Sequence, residues 1–193
     1  MTKLNLWLFL ALFSSFGWSY SEEGAGPSYC NTDGIFVAGD LGIFSRFDSG
    51  VTISPEPFVG LTVGYEFNRH FSLGLKGASA FISGASLNPT DPESPTSFGF
   101  HMVDANIMGA IPWSPRARLV ANLFGGLTIM HPVTLDGNPY GANVGMSLGF
   151  LYDTFLPDIV LGLNLTGHAF FNFGPTNKIV FGASITPVIS HLF

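Results

Sequence analysis

Five histidines, one cysteine and a scatter of acids are what this 193-residue chain offers to chemistry. A hydrolase built on a strand would set a His two residues from a Ser, so that both side chains share a face and the imidazole can take the hydroxyl proton. His168 is followed by Ala169 and Phe170, and His191 by Leu192 and Phe193, so neither has that Ser. Ser190 directly precedes His191, which puts the two on opposite faces of a strand. His70, His101 and His131 are too scattered for a metal site. Cys30, being alone, forms no intramolecular disulfide and no cysteine zinc site. No catalytic residue, cofactor site or metal site is expected. Seven Lys and Arg without a basic run give no footprint for nucleic acid.

The remaining polar residues fall on a pattern of period two, the side-chain repeat of a strand. Val59, Leu61, Val63, Tyr65 and Phe67 alternate with Gly60, Thr62, Gly64 and Glu66. Ile159, Leu161, Leu163 and Leu165 alternate with Gly162, Asn164, Thr166 and His168. One face is continuously apolar; the other is small and polar. Hydrophobic residues make up 47% of the chain and charged ones only 10%, against about 25% in typical soluble proteins. A greasy face with so little charge elsewhere suits a sheet whose apolar side meets lipid and whose polar side lines a lumen. Asp40, Glu66, Lys76, Asp104, Asn106, Asn122, Asn164, Thr166 and His168 have lumen parity and are expected to form a polar network inside. A buried charge needs a partner, and Lys76 is expected to pair with Glu66 or Asp40.

Lys3, the apolar run Leu4–Phe13 and the small residues Ser14 to Ser21 describe a secretory signal peptide over residues 1–21. Residues 22–33 read as a flexible periplasmic leader, and 34–193 as one barrel domain. No later segment has 18 unbroken apolar residues, so spanning helices are not expected. Eight segments read as strands instead: Ile35–Ser45, Phe58–Phe67, Phe71–Ile82, Phe100–Ile111, Arg118–Met130, Asn143–Tyr152, Ile159–Phe170 and Lys178–Phe193. Most reach the length of about 9–11 residues needed to cross a bilayer at a tilt.

The links alternate as well. Asn68–His70, Pro112–Ala117 and Asp153–Asp158 are short, whereas Phe47–Pro57, Ser83–Gly99, His131–Ala142 and Phe171–Asn177 are mostly longer. Backbone groups cannot go unpaired in hydrocarbon, so such a sheet must close, and an even strand number returns both ends to one side. The expected fold is an all-β, eight-stranded antiparallel up-and-down transmembrane barrel. Tyr65, Phe67, Phe71, Trp113, Phe150, Tyr152, Phe155 and Phe193 would form one aromatic girdle. Phe44, Phe47, Phe58, Phe81, Phe98, Phe100, Phe170, Phe171 and Phe173 would form the other. The acids Asp48, Glu56, Asp91, Glu93 and Asp136, with Arg46 and Lys178, are expected outside on the long loops.

The last strand carries Ile185 and Ile189 and ends in Phe193, with His191 and Pro187 as departures from a regular apolar alternation. A terminal aromatic on an amphipathic strand resembles the insertion signal of bacterial outer-membrane barrels. The hairpin from Gly64 to Leu75 resembles the second and third strands of OmpA-like small barrels. In size and layout the chain is also similar to the small barrel of the adventurous gliding-motility machinery, and to OmpW-like barrels. These resemblances imply a bacterial outer-membrane location with both termini periplasmic. They imply partners in outer-membrane lipid and lipopolysaccharide, in the barrel-insertion machinery and among envelope proteins. A non-enzymatic structural or anchoring role in an envelope-spanning complex is the resulting expectation. A small transporter of hydrophobic molecules is its rival, and would need a lateral opening or an apolar channel lined by Phe124, Phe170 and Met130. The lipid A deacylase family carries the His-x-Ser pair that neither His168 nor His191 supplies.

Overall fold

The structure, a computed structural model, describes residues 33–47, 55–83, 97–131, 139–156, 158–173 and 178–193. The expected signal peptide, the leader up to residue 32, and the loop acids Asp48, Asp91, Glu93 and Asp136 lie outside the described residues. Eight strands follow one another: β1 (Gly34–Phe47), β2 (Glu56–Asn68), β3 (Phe71–Ser83), β4 (Ser97–Ser114), β5 (Ala117–His131), β6 (Tyr140–Asp153), β7 (Ile159–Phe173) and β8 (Lys178–Leu192). Each pairs antiparallel with the next and β8 returns to β1, so the sheet is a closed barrel. Every expected strand is present, most of them longer than the alternation alone indicates.

Closure follows from where the carbon points. Leu41, Leu75, Leu127 and Ile189 are each 62–67% exposed, an arrangement that suits hydrocarbon and not water. The opposite parity holds Gly, Ser, Thr, Asn and the charges, and is buried. On β3, the outward Phe71 and Phe81 are ten residues apart. At about 3.3 Å per residue and a tilt of about 40°, they stand about 25 Å apart along the barrel axis. That matches the apolar band of membrane barrels.

Gly34 and Phe193 lie at one rim, here the terminal rim, with the strand ends that the three short turns join; the strand ends flanking the longer links lie at the other, the loop rim. Phe193 donates its backbone N–H to the Ile35 carbonyl at 2.8 Å, fixing the end of the chain against its beginning. The β1–β8 ladder is in constant register from Phe36↔Leu192 to Phe47↔Phe181 but lapses at Leu41–Gly42. Pro187 stands opposite that lapse and has no N–H to give. Gly42 fits there because a Cβ would strike the Ile185 carbonyl.

Three expectations about the rims need correction. Phe44, Phe58, Phe100 and Phe170 are not girdle residues: each is at most 3% exposed and turned into the lumen. Their height along the barrel is that of a girdle, but their parity is that of the interior. Glu56 is not a loop acid, since it opens β2 and is buried. Arg46 lies within β1 at inward parity. Phe47 and Phe81 do face outward at the loop rim, as do Tyr65, Phe67, Phe71, Trp113 and Phe150 toward the terminal rim.

Candidate functional site: an aromatic plug and a charge clamp

The lumen is filled in two different ways. Toward the loop rim, Phe44, Phe100, Phe170, Met102 and Met130 are at most 1% exposed and pack with Phe58, Ala78 and Ala80. Phe100 stacks on Phe170 with centroids 5.4 Å apart, and Phe44 meets Phe170 edge-on at 6.0 Å. His168 belongs to this plug. Its ring lies parallel to Phe170 at 5.8 Å and tilted against Phe124 at 5.2 Å, and its Nε2 shares a hydrogen bond with the Ser184 hydroxyl at 3.3 Å. This is a buried histidine held in a largely apolar cage.

Toward the terminal rim an ionic clamp sits between two small apolar clusters, Phe36–Ala38–Val188–Leu192 and Ala110–Val120–Leu151–Val160. Arg118, at the start of β5, donates from Nη1 to Glu66 Oε1 at 2.6 Å and from Nη2 to Asp153 Oδ1 at 3.4 Å. Arg69, in the β2–β3 turn, donates from Nη2 to Asp153 Oδ2 at 3.1 Å and to the Pro115 carbonyl at 2.8 Å. Glu66 and Arg69 come from the β2 end, and Arg118 and Asp153 from the β5 and β6 ends. The four residues therefore form a clamp across the lumen, tying one wall to the wall opposite. The side chains of Glu66, Arg118 and Asp153 are at most 10% exposed. Charges so buried are stable only because each is paired.

A second ion pair lies deeper. Lys76 on β3 reaches past β2 to Asp40 on β1. Gly60 makes this possible: it stands opposite both Asp40 and Ala78, and a Cβ there would come within 3.0 Å of Lys76 Cε and 3.2 Å of Asp40 Oδ2. Of the two partners expected for Lys76, the structure selects Asp40, because Arg118 occupies Glu66. Asp104 is the direct cross-strand neighbour of Lys76 and is 2% exposed. Asn106 and Thr166 are buried inside, and Asn122 and Asn164 are half-buried there. Around the clamp a cavity of about 80 Å³ remains, bordered by the four clamp residues and by Asp40, Lys76, Asn106, Asn122 and Asn164. It has room for several water molecules.

Sequence parity thus finds Asp40, Glu66, Lys76, Asp104, Asn106, Asn122, Asn164, Thr166 and His168 on the inner wall, but not how they divide. His168 goes to the aromatic half and Lys76–Asp40 to the middle. Arg118, Arg69 and Asp153 were not singled out, although Arg118 shares the even parity of Asn122. The cavity is bordered by three acids and three bases, Asp40, Glu66 and Asp153 against Lys76, Arg69 and Arg118. Each of these charges is paired with another. Such an arrangement braces the lumen from wall to wall. Ile185, Ile189 and Phe193, named for the last strand, all face outward and are 46–66% exposed.

No family model and no curated protein matches the chain. Solved structures do. Neisserial surface protein A superposes with a TM-score of 0.64 at 11% identity, over 84% of this chain and 100% of that one. The outer membrane protein AlkL, determined in lipid bilayers, gives 0.52 at 10% identity over 92% and 96%. Ail, the attachment invasion locus protein of Yersinia pestis, determined with the heparin analogue sucrose octasulfate, gives 0.50 at 12% identity over 83% and 99%. At these identities the likeness is one of architecture: this chain has the closed eight-stranded fold of the small outer-membrane barrels.

Proposed function

We propose that the chain is a sealed bacterial outer-membrane barrel acting as a structural anchor of the envelope, with both termini in the periplasm. The observation that carries this reading is the filling of the lumen, by the Phe44–Phe100–Phe170 plug toward one end and the Glu66–Arg118–Asp153–Arg69 clamp toward the other. A barrel filled in this way is a rigid post that holds its loops and turns in place for other molecules. The lumen residues from Asp40 to His168 act as its internal brace. Ile185, Ile189 and Phe193 serve as the insertion signal read by the barrel-insertion machinery. The exterior band contacts outer-membrane lipid and lipopolysaccharide, and the turns and loops contact envelope proteins. Placement in a gliding-motility complex is a narrower form of the same reading.

The transporter reading needs either a lateral opening between strands or an apolar channel lined by Phe124, Phe170 and Met130, and only the channel form is weakened by the burial of its lining. Phe170 and Met130 are fully buried within the plug.

Two measurements test the anchor. In planar lipid bilayers the purified barrel is expected to give no stable ion conductance and no flux of hydrophobic ligands. Cross-linking of a tagged chain in isolated outer membranes, followed by mass spectrometry, is expected to recover envelope proteins and so to name the complex. Steady conductance, together with recovery of the barrel alone, would overturn the reading.

A further inference from the structure

We propose that Ser79 and His101 form an acyl-transfer pair on the outside of the barrel, with long-chain esters of the surrounding membrane lipid as substrate. Ser79 on β3 and His101 on β4 are direct cross-strand partners. Ser79 Oγ and His101 Nδ1 are 2.9 Å apart, within the reach a general base needs to take a hydroxyl proton. Both share the outward parity of Phe81 and Val103, which are 52% and 59% exposed. They are separated by 22 positions in sequence, so a search for His and Ser two residues apart on one strand passes over them.

Three further observations support the assignment. The imidazole is held in place: Phe81 packs against it edge-on at 6.4 Å, and the ring lies over Gly99, where a Cβ would come within 3.1 Å of Nε2. The surroundings are apolar, with Phe81, Val103 and Ile129 exposed on the same face. An ionisable residue in such a band is costly, and where one is kept it marks a working site. Finally, Ser79 precedes Phe81 by two residues, which places it about 5 Å inside the level of that ring. This is the boundary between headgroups and acyl chains, where the ester bonds of lipids lie.

The step balances without a cofactor. Ser79 Oγ adds to the ester carbonyl carbon as its proton passes to His101 Nδ1. The tetrahedral adduct then breaks its bond to the alcohol oxygen, which leaves with the proton from His101. Water, activated by the same nitrogen, adds to the acyl-serine and releases the carboxylic acid. The sum is ester and water to acid and alcohol.

The full chain, folded in detergent, is treated with a fluorophosphonate probe. Folded in vesicles of long-chain phosphatidylethanolamine, it is then assayed for free fatty acid by mass spectrometry. Wild type is expected to label at one site and to release fatty acid. Ser79→Ala should do neither, and His101→Gln should slow both by at least about a hundredfold. Both positions are on the surface, and both variants should keep the heat-modifiable gel mobility of the folded barrel. Labelling of folded wild type no faster than of Ser79→Ala would overturn the proposal. So would unchanged rates in His101→Gln, or labelling without fatty-acid release.

Discussion

Around Phe44 and Phe170 the lumen is held by packed rings, and around Glu66 and Asp153 it is held by paired charges set among smaller apolar clusters. The aromatic half draws its stability from many small contacts: ring pairs at 5.4–6.4 Å, each worth about 0.5–1.5 kcal/mol beyond the area they bury. No single contact there is indispensable. In the charged half, four groups from opposite walls act together, because each neutralises a neighbour that is largely withdrawn from solvent. The plug is therefore tolerant of local change, and the clamp depends strictly on its membership.

That difference can be broken first at Arg118. Arg118→Met leaves Glu66 without a partner and Asp153 with Arg69 alone, and is expected to cost about 4 kcal/mol, read from the urea midpoint of the barrel in lipid vesicles. Adding Glu66→Gln and Asp153→Asn to it should recover at least half of that loss. If the triple variant is no more stable than the single one, the clamp acts by shape and not by charge.

Phe100→Ala tests the other half. It is expected to cost about 3 kcal/mol by the same measurement, as a cavity left in a packed cluster does. Because the two closures lie in series, neither Phe100→Ala nor Arg118→Met alone should conduct in planar bilayers, and the combined variant should. Conductance in either single variant would show that one half does the sealing.

Lys76→Met should have the smallest effect, about 2 kcal/mol. Its side chain is 17% exposed, so the surrounding polar cavity partly compensates for the loss of Asp40's partner. An unchanged midpoint would remove Lys76–Asp40 from the brace.

The strands were legible because a membrane sheet obeys one rule along its whole length: apolar at one parity, small or polar at the other. That rule places Asp40, Glu66 and Lys76 on the inner wall without further information. It says nothing about which inward residues meet. Glu66 on β2 and Arg118 on β5 touch because the barrel curves them toward each other across the lumen, three strands apart. Whether Lys76 reaches Glu66 or Asp40 rests on stagger and on the missing side chain of Gly60. The rim phenylalanines went astray for a related reason. Phe44, Phe58, Phe100 and Phe170 lie at girdle height, and only their even numbers reveal that they point inward. Ser79 and His101 were invisible to a search along single strands, since the sheet, and not the sequence, makes them neighbours.

The lapse opposite Pro187 has a meaning before the barrel exists. Residue 36 pairs with residue 192, so the closing ladder joins the two most distant strands of the chain and must be the last to form. Until then the free edge of β8 is a template on which a strand of another molecule could pair and aggregate. Pro187 interrupts that edge with a position that cannot donate. In the closed barrel the same gap lies next to Gly42, whose backbone fits against Ile185. A strand lacking such a glycine has no such fit, so the interruption favours pairing with β1 over pairing with unrelated strands.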